Sequence, residues 1–192
     1  MRRTAEDIHD EWLVLRSQSG DESALPQLVD RWHGRLTAHA RRLTGDADAA
    51  REASQEAWLA IVRGLPRLND PARFAPWAYR ILTYKCRDWI RRRSRDRARG
   101  LRHQSAAGAE TSIPAPTPDQ SADEPMTAVR AAMRRLSADH RAVLDLHYLD
   151  GLGVMEIALA LGVPAGTVKS RLHHARGKLR AIIESHSERI ES

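Results

Sequence analysis

Residues 151–180, GLGVMEIALALGVPAGTVKSRLHHARGKLR, read as two helices joined by a tight turn, the second of them basic on its exposed side. Met155, Ile157, Ala158 and Leu161 recur at helical spacing and form the inner stripe of the first helix. Gly162 ends it, because a glycine just past the last turn takes the left-handed conformation without steric cost. Val163 plugs the turn, and Pro164 cannot continue the helix. Thr167 takes a cap or first-turn position in the second helix, whose apolar stripe is Val168, Leu172, Ala175 and Leu179. The opposite face carries Ser170, His173, His174 and Gly177. Lys169, Arg176 and Arg180 flank it on one side, Arg171 and Lys178 on the other. No acidic residue occurs between Glu156 and Glu184. Such a helix suits the major groove of DNA, with flanks that reach phosphates and a front that reaches base edges. The alternative is a helical hairpin whose basic face is only solvated; the acid-free run and the turn chemistry together favour DNA.

The whole chain has 192 residues, a formal net charge of +6 and a sequence pI near 10.2, a balance that favours a polyanionic partner. The charge is distributed in blocks. Residues 1–103 carry 21 basic against 14 acidic residues, 104–125 carry none against 4, and 126–192 carry 10 against 7. The single Cys86 excludes an internal disulfide framework and points to a reducing compartment. The first residues, MRRTAEDIHDEW, lack an apolar secretory core. No stretch approaches the roughly 20 apolar residues of a membrane span, so a cytoplasmic protein without membrane insertion is expected.

The acidic block, QSAAGAETSIPAPTPDQSADEP, alternates Pro114, Pro116 and Pro118 and offers hardly a large apolar side chain. Its composition predicts a flexible Pro/Ala-rich linker between two domains. At about 3.1 Å per residue it would reach roughly 70 Å, close to two turns of duplex. The expected fold is all-α, two small helical domains, with residues 1–100 and 126–186 as the domains and 101–125 as the connector.

Within the first domain the sequence predicts a short helix from Glu11 to about Ser17. A second runs through Leu25, Leu28, Val29, Trp32, Leu36 and Leu43, and a third from Asp46 to Gly64. After the proline-rich break LPRLNDPARFAP, a long fourth helix is expected from Ala72 or Trp77 to Arg95. Phe74, Trp77, Tyr79, Tyr84 and Trp89 fall within sixteen residues, interleaved with Arg73, Arg80, Lys85, Arg87, Arg91, Arg92, Arg93 and Arg95. Aromatic faces among cations are what unstacked single-stranded bases need. Some of these aromatics must be core, and Trp77, Ile81 and Ile90 fall near one stripe. The loop Leu68–Pro76 is the better place for a base pocket. On the third helix, Glu52, Gln55 and Glu56 form an acid-leaning patch beside Trp58. It is either a solvated face or a surface for a basic protein partner.

Taken together, these features resemble the extracytoplasmic-function (ECF) sigma factors of the bacterial sigma-70 family, over roughly residues 10–95 and 126–184. The opening DEWLVLRSQSGDESALPQLVDRW, the helix AREASQEAWLAIVRGL and the segment RFAPWAYRILTYKCRDWIRRR carry the resemblance, with EIALALGVPAGTVKSRLHHARGKL close to the family's C-terminal helix-turn-helix. Glu52 stands where the family usually has Asp, and Tyr84 where Asn is common. The resemblance implies a dissociable specificity subunit of core RNA polymerase, contacting its β′ clamp and β subunit, that recognises promoter DNA; an anti-sigma factor is a further expected partner. It places Glu52, Gln55, Glu56 and Trp58 on the polymerase. Asn69, Arg73, Phe74, Arg80, Tyr84, Arg87 and Arg91 would contact the −10 DNA, which the first domain melts. Thr167, Lys169, Ser170, Arg171, His173, His174, Arg176 and Lys178 would contact the −35 duplex. The competing reading is a stand-alone helix-turn-helix regulator, which leaves the acid patch and the aromatic-basic helix without a role. No phosphate-cradling Gly-Lys motif, nucleophile elbow or HExxH pair suggests an enzyme. The nine scattered histidines give no expected metal site, so neither catalytic residues nor cofactors are expected.

Overall fold

A computed structural model describes residues 4–103, 132–133 and 135–190. They are helical throughout apart from turns, in two compact units. The connector expected at 101–125 falls mostly outside the described residues; the fourth helix continues through 101–103.

The first unit is built from α1 (Ala5–Gln18), α2 (Ala24–Thr44), α3 (Ala47–Gly64) and α4 (Phe74–His103). α1 begins six residues before the expected Glu11 because Thr4 and Asp7 form a reciprocal cap. The Asp7 amide donates to Thr4 Oγ1 at 3.1 Å, and the Thr4 amide donates to Asp7 Oδ2 at 2.8 Å. Asp46 caps α3 by accepting from the amides of Asp48 and Ala49, each at 3.0 Å. The proline-rich break becomes two 3-10 turns, Leu65–Arg67 and Pro71–Arg73, the second running directly into α4. Gln18 ties this break to α1, its amide donating to the carbonyls of Leu65 and Leu68 at 2.9 Å. Gly64 is required at the turn, since a Cβ there would stand 2.8 Å from Trp77 Cζ2.

The core of this unit holds Leu13, Val14, Leu28, Trp32, Leu36, Ala57, Ile61, Tyr79 and Leu82. Its centre is aromatic: Trp32 meets Phe74 and Tyr79 edge to face at 5.5 and 6.0 Å. The buried stripe of α4 is therefore Phe74, Ala78, Tyr79, Leu82 and Cys86, rotated from the expected Trp77, Ile81 and Ile90. Trp77 and Ile81 are half-buried and Ile90 is exposed. Burial pushes the Cys86 thiol up to about 12, so it stays protonated and packs as a small apolar group.

The second unit contains α5 (Ala138–Leu144), a single π-helical turn (Asp145–Leu149), α6 (Val154–Leu161) and α7 (Ala165–Ile190). Ser137 caps α5, its Oγ accepting from the His140 amide at 3.4 Å. Gly151 (φ 75°) turns the chain toward α6, where Glu156 Oε2 accepts from the Gly153 amide at 2.6 Å. Gly162 ends α6 in the left-handed conformation, φ 67°, as its place in the sequence requires. The Pro164 carbonyl then accepts from Thr167 and Val168 at 2.9 and 3.2 Å, so Thr167 lies in the first turn of α7 rather than at the cap. Val143, Leu146, Leu152, Ile157, Ala160, Leu161, Val168, Leu172 and Ala175 form the core. Met155, expected in that stripe, is 73% exposed, because the inner face of α6 is Ile157, Ala160 and Leu161. No described helix is long and apolar enough to cross a membrane.

Candidate polymerase and DNA interfaces

On α3, Glu52 and Gln55 are exposed and stand three residues apart on the outer face. Two exposed apolar residues continue that face, Leu59 at 59% and Val62 at 41%. Their positions outside the inner alanine stripe are a signal that periodicity alone could have given. Glu56 is half-buried and engaged within the unit. Its Oε2 accepts from Lys85 Nζ at 2.9 Å, and its Oε1 lies 3.8 Å from Arg92. Trp58 does not belong to this surface: it is buried in the core, so its indole is closed to a partner. A groove of about 590 Å³ runs between α3 and α4, lined by Glu52, Trp89, Arg92, Arg93 and Asp96. Arg93 lies over the Trp89 ring at 4.9 Å and binds Asp46 at 2.9 Å. The Asp46 carboxyl is held below the usual carboxylate range, first by the Ala49 amide and then by Arg93.

Arg80, Tyr84, Arg87 and Arg91 lie along one exposed face of α4, at a spacing that keeps them in line. Tyr84 is the aromatic among them, 61% exposed. Asn69 and Arg73 are exposed in the preceding loop, where Arg73 pairs with Asp70 at 3.0 Å. Phe74 departs from the expectation. It is 1% exposed and packed on Trp32, so it cannot stack on a base. Tyr79 is buried for the same reason. The aromatic-rich segment thus serves two purposes, core on one side and a single protruding tyrosine on the other.

In the second unit, α7 exposes Lys169, Ser170, His173, His174, Arg176, Gly177 and Lys178 along a continuous surface opposite Val168, Leu172 and Ala175. Ser170 Oγ donates to the Thr167 carbonyl at 3.0 Å, which leaves its oxygen able to accept. Thr167 is half-buried in the same turn. Arg171 differs from the expected phosphate contact: it is half-buried and paired with Asp139 at 2.6 Å, pinning α7 to the start of α5. Tyr148, from the π-helical turn, was not singled out in the sequence. Its ring is 61% exposed and lies 5.7 Å below the Arg176 guanidinium. Among the described residues no cluster of three or more His, Cys, Asp or Glu could hold a metal ion.

Two families match this chain, Sigma-70 region 2 over residues 28–96 and Sigma-70, region 4 over residues 126–179. The RNA polymerase sigma factor NccH of Alcaligenes xylosoxydans xylosoxydans is 33% identical over 178 residues, covering 92% of this chain and 95% of that protein. The ECF RNA polymerase sigma factor SigL of Mycobacterium tuberculosis is 33% identical, covering 89% of this chain and 95% of its own length. SigE of Mycolicibacterium smegmatis is 32% identical, and the match spans 88% of this chain and 66% of SigE. Among solved structures, CnrH in complex with the cytosolic domain of CnrY superposes with a TM-score of 0.64 at 26% identity, covering 92% of this chain and 98% of that one.

Proposed function

Since the chain belongs to the ECF sigma factors of the sigma-70 family, we propose that it is a dissociable initiation subunit that gives core RNA polymerase its promoter specificity, rather than an enzyme. The observation that supports this reading best is the pairing, in one chain, of an exposed acid-apolar face on α3 with two differently built basic helices. A stand-alone regulator needs only one of the three.

In this reading Glu52 and Gln55, with Leu59 and Val62, dock on the β′ clamp, while Glu56 holds α3 to α4 through Lys85. Tyr84, with Arg80, Arg87, Arg91, Asn69 and Arg73, holds melted −10 DNA. Ser170, His173 and His174 face −35 base edges, while Lys169, Arg176 and Lys178 hold phosphates. Residues 1–100 and 126–186 would be the two working domains, and the cytoplasm their place of action. CnrH was solved with the cytosolic domain of CnrY, and an anti-sigma factor is a fitting partner for this chain too.

The test is transcription with purified core polymerase and this chain, with start sites mapped across genomic DNA. Discrete starts that depend on the chain are expected, and the Glu52→Lys/Gln55→Lys double variant, both on the exposed face, should lose both these starts and co-purification with core. An interface of opposite charge then becomes one of like charge. Starts identical to those of core polymerase alone would reject the reading.

A further inference from the structure

The π-helical turn between α5 and α6 holds an aromatic side chain against α7. The Asp150 amide closes the turn by donating to the Asp145 carbonyl at 3.1 Å, and the Leu152 amide donates to the Leu146 carbonyl at 2.9 Å. Leu146 and Leu152 are both buried, so the turn is fastened to the core on either side of Tyr148. His147 adds a third tie. Its Nδ1 lies 3.0 Å from the Leu152 carbonyl, which can only accept, so that nitrogen carries the proton. The Tyr148 ring stands edge to face with this held imidazole, centroids 4.8 Å apart and planes at 72°. Over the same ring, at 5.7 Å from its centroid, lies the guanidinium of Arg176 on α7.

We propose that Tyr148, from outside the helix-turn-helix, is a positioning residue for −35 binding: its ring restrains the Arg176 guanidinium for a backbone phosphate. This rests on the reading of Arg176 as a phosphate contact and names what prepares it.

The chemistry of the pair supports that role. An arginine on an exposed helix face has many rotamers, and ordering them when DNA arrives costs free energy. A guanidinium stacked on a ring has given up part of that freedom beforehand. Stacking uses the face of the guanidinium, so its N–H edge stays available for a phosphate. The attraction comes from the ring rather than the hydroxyl, and phenylalanine should serve in its place. A phosphate carries no base information, so the ring should strengthen binding to every −35 sequence alike.

The experiment is a double-variant cycle on polymerase reconstituted with this chain. Protection of the −35 element is titrated on one promoter and on the same promoter with one −35 base changed. Tyr148→Leu should weaken protection about two- to fivefold on both promoters, the worth of an exposed cation–π contact. Tyr148→Phe should bind as the wild type does, and in an Arg176→Ala background Tyr148→Leu should have no further effect. Equal losses in both backgrounds, or a phenylalanine variant as weak as the leucine one, would overturn the proposal. A second measurement needs no DNA: by NMR of the free chain, the Arg176 side-chain protons should be shifted upfield by the ring in wild type and Tyr148→Phe, and not in Tyr148→Leu. Identical Arg176 shifts in all three proteins would also overturn it. If Arg176→Ala weakens protection and Tyr148→Leu does not, the −35 reading stands and the proposal alone fails; if Arg176→Ala leaves protection unchanged, both fail.

Discussion

α4 and α7 are both basic helices with an apolar back, yet they handle their charges differently. In α4 the cations on the α3 side are already neutralised. Lys85 and Arg92 meet Glu56, and Arg93 meets Asp46. In α7, Arg171 is paired with Asp139, whereas Lys169, Arg176 and Lys178 have no carboxylate within salt-bridge distance among the described residues. Unneutralised cations on a rigid helix suit regularly spaced duplex phosphates, and counterion release makes each worth a measurable salt dependence. A helix that spends only its inward cations internally keeps a shaped outer surface, here Tyr84 beside arginines, for bases that have left the stack. Similar composition thus supports different work, and partner geometry decides which.

The comparison assumes that each helix is held by its own unit, and the strongest way to break that assumption is in the core. Replacing Trp32 by Ala removes the ring that Phe74 and Tyr79 pack against. A loss of about 3–5 kcal/mol is expected in the first unit. Denaturant unfolding, followed by signals from each unit, should show the second unit's midpoint unchanged. A joint shift of both midpoints would mean that the units do not stand alone.

A smaller effect sharpens the contrast in charge pairing. Asp46 caps α3 and also binds Arg93, so Asp46→Ala should cost about 1 kcal/mol through the lost cap. The folded-state pKa of Asp46 is depressed. Its contribution is therefore fully present above the unfolded value of about 3.9 and disappears as pH falls through the folded value. Wild-type stability should drop across that acidic window more steeply than that of the variant. Parallel curves would show that the pair contributes nothing.

The C-terminal hairpin was legible because its signals are local. Gly162 and Pro164 fix the turn, and a stripe of Val168, Leu172 and Ala175 needs no partner to be recognised. The placement of α4's aromatics was not. With rings on several faces, periodicity cannot choose which side turns inward, and the choice fell to Trp32, more than forty residues away in the chain. Hence Phe74 and Tyr79 went into the core, and Tyr84 alone of this group stands well clear of the surface. Glu56 and Arg171 carried the right charge for the expected contacts, but their partners, Lys85 and Asp139, lie on other helices. No spacing rule exposes such pairs. The early start of α1 was missed for a different reason: its capping box sits among polar residues with no apolar stripe to mark the helix.

The division of labour between the two helices can be tested by footprinting one promoter with polymerase carrying Tyr84→Ala or Arg176→Ala, reading −35 protection and permanganate reactivity at −10 together. The account predicts that Tyr84→Ala keeps −35 protection and loses −10 reactivity, by about 1–3 kcal/mol of open-complex stability. Arg176→Ala should weaken −35 protection and lower its salt slope by about one. Once bound at saturating protein, that variant should restore full −10 reactivity. Equal loss of both signals in both variants would contradict the account.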